Sequence, residues 1–150
     1  MRVVSIIGPE QSGKTTISSQ LAAVDGTNSL SVELFSGIKA SKFTFMDEAW
    51  VVFDLAGGVQ NIPSQLPTLI ASDIVIIVVP GNTTAGVLTS PYIRFCEDLD
   101  IPTVIFINKL DVSDVSVSEL IAVVQKYSQK TITLRQIPIR KDDSIIGVVD

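Results

Sequence analysis

The chain opens with an apolar run, Val3-Val4-Ser5-Ile6-Ile7, that leads directly into Gly8-Pro9-Glu10-Gln11-Ser12-Gly13-Lys14-Thr15. This octet fits G-x-x-x-x-G-K-S/T, a pattern that carries meaning between a strand and a helix. That context is met, because Lys14 to about Ala23 reads as a helix. Glycines at both ends let the loop turn its N–H groups inward as an anion nest, and the helix adds the positive end of its dipole. A strand, a phosphate loop and a helix in that order commit the chain to α/β architecture. In this reading Lys14 reaches the β and γ phosphates of a nucleotide, Thr16 lies beside it, and the Thr15 hydroxyl ligates Mg2+, a hard cation that takes oxygen ligands. The plainer alternative is an ordinary Gly-rich turn.

A second apolar run, Thr103-Val104-Ile105-Phe106-Ile107, ends in Asn108-Lys109-Leu110-Asp111. Open α/β sheets bind ligands at the carboxyl ends of their strands. A carboxylate only accepts hydrogen bonds, so Asp111 suits the ring N–H and exocyclic amine of guanine and not the ring-nitrogen lone pair of adenine. A site built for such bonds rejects the wrong base strongly. Asn108 would brace the loop, and the Lys109 stem would lie over the base. The alternative is a polar turn in which Asp111 simply starts a helix. Between the two signals, Trp50-Val51-Val52-Phe53 runs into Asp54-Leu55-Ala56-Gly57. This D-x-x-G would place Asp54 to hold Mg2+ through water and the Gly57 N–H near a γ-phosphate. A strand-capping Asp and a turn Gly are the bland reading.

Alternation along the chain predicts strands at Arg2 to Ile7, Lys42 to Met46, Ala49 to Asp54, Ile74 to Val79 and Pro102 to Ile107, with an Asp47-Glu48 turn between the second and third. Helices are expected at Ile62 to Ile70, Thr84 to Leu99 and Val117 to Tyr127, and a polar, irregular stretch from Asp25 to Ser41. The sheet is then mostly parallel, in three α/β/α layers, with the Lys42 strand antiparallel. Residues 131–139 and 144–149 read as two strands around a polar turn from Arg140 to Asp143, so that 1–130 forms the nucleotide domain and 131–150 a hairpin. The hairpin is cut short at Asp150, the expectation being a segment of a longer protein.

A net charge of −5 and a pI near 4.6 argue against a broad basic nucleic-acid face. The apolar run Ile74 to Val79 is too short to span a bilayer, and the N-terminus carries no apolar stretch of secretory length. Cys96 is the lone cysteine, read as a buried helix residue and compatible with a reducing cytosol. The chain has no histidine, which excludes His-dependent catalysis from within it. Glu97, Asp98 and Asp100 read as a solvated helix end, and Trp50 as a packing residue.

These motifs resemble those of translational GTPases. Asp54-Leu55-Ala56-Gly57-Gly58-Val59 is similar to the family's D-T-P-G-H-V, and Phe106-Ile107-Asn108-Lys109-Leu110-Asp111 to the F-I-N-K-M-D of elongation factor G. Ile137-Pro138-Ile139 and Gly147-Val148-Val149-Asp150 resemble the point where elongation factor G leaves its nucleotide domain for an inserted subdomain. The resemblance covers nearly the whole chain. It implies a P-loop G domain that binds GTP and GDP with Mg2+, in a monomeric cytoplasmic factor acting on the ribosome without a membrane. Three departures qualify the implied activity. Gly58 stands at the family's water-positioning histidine, so no catalytic side chain is assigned and hydrolysis is expected to be weak or lost. Lys39, in Gly37-Ile38-Lys39, stands where the family has a magnesium-binding threonine, and the place of Thr44 within a strand argues against it as a substitute. Gln11 replaces the usual loop Asp, which weakens a monovalent-cation site. A nucleotide-independent docking module, a GTPase completed in trans and a distant ATP-using protein are the competing readings.

Overall fold

The computed structural model describes residues 1–26, 31–35, 37–113, 115–141 and 144–149. Four apolar strands run parallel, because helices carry the chain back between them: β1 (Arg2–Ile7), β4 (Glu48–Leu55), β5 (Ile74–Pro80) and β6 (Thr103–Asn108). Two more strands, β2 (Val32–Phe35) and β3 (Ile38–Phe45), add antiparallel pairings and give the order β2-β3-β4-β1-β5-β6.

Strand side chains alternate between the two faces. On one face Ile7, Val75, Ile77 and Val79 pack with residues of α2 (Ile62–Ile70), α3 (Ala85–Asp98) and α4 (Val117–Gln125), among them Leu69, Ile93 and Leu120. On the other, Ile6, Val52 and Val78 pack with Phe43 and with Ala22 of α1 (Lys14–Ala22). This is the expected three-layer α/β/α arrangement. Cys96 is buried in α3, where burial pushes its thiol up to about 11. Trp50 stacks on Phe43 with ring centroids 6.1 Å apart.

The second face is only partly covered. Helix α1 packs against β1, β3 and β4, while Val104 and Phe106 of β6 remain exposed. An apolar groove between Leu21, Trp50, Ile76 and Val104 lies at the amino ends of the parallel strands, away from the phosphate loop.

Several boundaries differ from expectation. The 25–41 stretch contributes β2 and the start of β3, which begins at Ile38 and not Lys42. All four residues of β2 are exposed, so no burial pattern marks it in the sequence; hydrogen bonding to the edge of β3 makes it a strand. The β3–β4 turn is Met46-Asp47, both at positive φ (49° and 61°), as the twist of a two-residue hairpin requires. Helix α4 stops at Gln125. The tail hairpin forms its own two-stranded antiparallel sheet from β7 (Ile137–Lys141) and β8 (Ser144–Val149), shorter at its start than the 131–139 reading. The chain before it is occupied by side-chain bonds instead: Glu97 accepts from the Ser128 hydroxyl and from the N–H groups of Gln129 and Lys130, and Gln125 Oε1 accepts from Ile132 N–H. Glu97 therefore anchors a loop and is not merely a solvated helix end. Asp142, Asp143 and Asp150 lie outside the described residues, as do the side chains of Arg140 and Lys141.

Ile77 is fully buried at the centre of the larger core. Ile77→Ala should lower the unfolding free energy by about 2–5 kcal/mol in urea denaturation, through lost burial and the cavity left behind.

Candidate functional site

The phosphate loop joins β1 to α1 through a backbone that few residues tolerate. Gly8 and Gly13 sit at φ 145° and 98°, and Gln11 at 59°. A Cβ on Gly8 would lie 2.6 Å from the Val78 carbonyl oxygen, and one on Gly13 would collide with the Asn108 amide. Glycine is needed at both positions for space as well as for φ. Pro9 is buried and Glu10 and Gln11 are exposed, which brings Ser12 and Lys14 back inward.

Two polar groups inside this loop lack good partners. Ser12 Oγ is buried at 1% exposure and has no hydrogen bond among the described residues. Lys14, at 7% exposure, donates among the described residues only to the Pro9 carbonyl oxygen, 2.6 Å from Nζ. Burial holds the Lys14 ammonium below its ordinary pKa, against the upward pull of Asp54 and Glu10. The first N–H groups of α1 also have no intrahelical partners. A buried cation, an orphaned hydroxyl and free N–H groups around one left-handed loop fit a phosphate-bearing anion.

Asp54 ends β4 next to this loop because β4 pairs in parallel with β1, Asp54 opposite Ile6. Its Oδ2 accepts a hydrogen bond of 2.7 Å from the Thr15 hydroxyl. The two oxygens expected to serve one Mg2+ are thus neighbours, and the pair fits a cation that takes few protein ligands and keeps waters or phosphate oxygens for the rest. Lys39 lies across from Asp54 in the β3–β4 register. Thr44 does not serve the site: it pairs with Ala49, five positions from Lys39 and about 17 Å along the strand.

The D-x-x-G segment closes onto the phosphate loop. A Cβ on Gly57 would lie 2.9 Å from the backbone N of Glu10 and from Lys14 Nζ. Side chains that no motif had singled out hold the segment there: Gln65 donates to the Ala56 carbonyl, Asn61 to the Gly57 carbonyl, and Gly58 N–H to the hydroxyl of the buried Tyr92 at 3.1 Å. The three holding residues come from two helices and a 3-10 turn, and only the folded chain brings them together.

Asn108 and Lys109 arrive at the opposite side of the loop from the end of β6. Asn108 Nδ2 donates to the Ser12 carbonyl at 2.8 Å, and Lys109 Nζ to the Gln11 carbonyl at 2.7 Å. Lys109 is left-handed, at φ 60°, and starts a 3-10 turn, Leu110–Val112, that presents Asp111 exposed. The structure thus gathers Gly8 to Thr15, Asp54, Gly57, Asn108 and Lys109 into one site at the carboxyl ends of β1, β4 and β6. Asp111 stands at its rim, and Thr16 is exposed on the first turn of α1.

The mostly parallel six-stranded sheet with its flanking helices matches the fold of the G domain found in translational GTPases. Over its whole length the chain is 22% identical to an elongation factor G-like protein of Synechocystis sp.. A crystal structure of a protein from Thermus thermophilus superposes on the entire chain with a TM-score of 0.77 at 18% identity. The translation elongation factor SelB of Methanococcus maripaludis, solved with the GTP analogue GppNHp, matches 83% of the chain with a TM-score of 0.63 at 20% identity. The chain spans 25% of the length of each of these three proteins. No protein-family model matches it.

Because Lys14 has a lower pKa folded than unfolded, the unfolded chain binds the extra proton between that lowered value and 10.5. Ligand-free stability attributable to Lys14 should therefore rise with pH through that window. Urea midpoints of the wild type minus those of Lys14→Gln, followed from neutrality upward, should show this positive slope.

Proposed function

We propose that this chain is the GTP- and GDP-binding domain of an elongation factor G-like translation factor, coupling nucleotide state to action on the ribosome. The observation that carries the reading is the pair of hydrogen bonds from Asn108 and Lys109 to the Ser12 and Gln11 carbonyls, which builds the base-side segment and the phosphate loop into one site. In this reading the backbone of Gly8, Pro9, Glu10, Gln11, Ser12 and Gly13 wraps the phosphates, Lys14 and Thr16 bind them, and Thr15 and Asp54 hold Mg2+. Asp111 reads guanine across the rim. Bound Mg2+ would bridge phosphate oxygens and neutralise their charge. Hydrolysis is slow, because Gly58 carries no side chain to orient water and Lys39 cannot ligate a cation. The segment from 131 to 150 begins an inserted subdomain, and the factor works as a cytoplasmic monomer. Among the described residues no helix is long and apolar enough to cross a membrane.

A second reading, a docking module that no longer uses nucleotide, is favoured by one observation: Lys39 stands across from Asp54, where a second cationic charge competes with the metal. Calorimetric titration of GDP and GTP with Mg2+, against ADP and ATP, separates the two. Guanine-selective binding supports the first reading, and absence of nucleotide binding in the intact protein supports the second. Asp111→Asn should weaken guanine nucleotides and favour xanthine nucleotides, whose extra carbonyl needs a donor. Unchanged base preference in that variant would remove Asp111 from the site.

A further inference from the structure

The segment that closes on the phosphate loop has no side chain at Gly57 or Gly58, yet the space beside Gly58 is filled. The 3-10 turn Val59–Asn61 folds back so that the Gln60 carboxamide lies over Gly58, with Oε1 and Cδ each 2.8 Å from where a Cβ on Gly58 would stand. Gly58 holds φ 100° and its N–H is tied to Tyr92, so the backbone beneath the amide is fixed and any side chain at 58 would displace it. The adjoining Gly57 leaves no room for a side chain, since a Cβ there would lie 2.9 Å from Lys14 Nζ and from the Glu10 backbone in the phosphate loop. Asn61 and Gln65 spend their amides on the Gly57 and Ala56 carbonyls. Gln60 does not: it is exposed, and among the described residues its carboxamide has no hydrogen-bond partner.

We propose that Gln60 is the water-positioning residue of this site, its carboxamide doing from two residues further along the chain what a side chain at Gly58 cannot do. The proposal rests on the GTP-binding reading above. A carboxamide accepts through oxygen and donates through nitrogen, so it can hold a water by one of its protons while bonding a γ-phosphate oxygen. In the step served, the water oxygen bonds to the γ-phosphorus as the bond from that phosphorus to the β–γ bridging oxygen breaks. GDP leaves with the bonding pair, the water proton ends on the released inorganic phosphate, and Gln60 neither gains nor loses a proton. Orientation is the whole of its contribution, and misplacing a reacting group by about 1 Å costs on the order of a hundredfold. The slow hydrolysis allowed by the missing side chain at 58 is thereby assigned to a named group.

The test compares the intact wild type with Gln60→Ala and Gln60→Glu, with and without ribosomes. Affinity is read with a fluorescent GTP analogue and chemistry by single-turnover release of phosphate from GTP. Gln60→Ala should leave GTP affinity within about twofold and slow phosphate release by roughly tenfold or more; Gln60→Glu, which keeps an acceptor, should recover part of the rate. Gly58→Ala should also slow release, by pushing the amide aside. An unchanged rate in Gln60→Ala overturns the proposal, and so does a wild type that binds GTP and releases no phosphate. A wild type that fails to bind guanine nucleotide overturns the underlying reading, and the proposal falls with it.

Discussion

The phosphate loop keeps its shape because a distant strand holds its carbonyls. Asn108 and Lys109, almost a hundred residues downstream, donate to Ser12 and Gln11, and with those oxygens bound on one side the loop can present N–H groups on the other. The same contact makes Gly13 obligatory, since the Asn108 amide occupies the place of its side chain. The parallel register of β1, β5 and β6 delivers both partners to one end of the sheet. Without that register the octet at the start of the chain would be a flexible turn.

Around this braced loop the fold concentrates unsatisfied polar groups that a hydrophobic core would not tolerate. Among the described residues, a buried lysine with a single carbonyl partner and a buried serine hydroxyl with none cost free energy in the ligand-free chain. In the GTP-binding reading proposed above, an arriving polyphosphate would remove both costs and link stability to ligand affinity at Lys14. The D-x-x-G segment lies close to that lysine: a Cβ on Gly57 would meet Lys14 Nζ and the Glu10 backbone, and three side-chain tethers hold residues 56–58. In the same GTP-binding reading, an entering γ-phosphate would compete with this packing.

The opposite end of the sheet tells a different story. Residues of α2, α3 and α4 enclose one face, whereas α1 alone serves the other and leaves Val104 and Phe106 of β6 exposed. Parallel sheets are ordinarily covered on both sides. The apolar character of β6 was legible in the sequence, but which of its two faces is enclosed was not, because alternation gives no sign when both sets of residues are apolar.

Local chemistry alone determined much of this protein. Apolar runs ended by glycine, asparagine or aspartate marked β1, β4, β5 and β6, and the spacing of Gly8, Gly13 and Lys14 marked the loop, because strand burial and left-handed turns restrict residue type at the position itself. β2 went unseen, since its exposed residues become a strand only by pairing with β3. The tethers from Tyr92, Asn61 and Gln65 and the amide of Gln60 over Gly58 were equally invisible. Each depends on which segments meet in space, and that is decided by sheet register and helix packing across the whole chain.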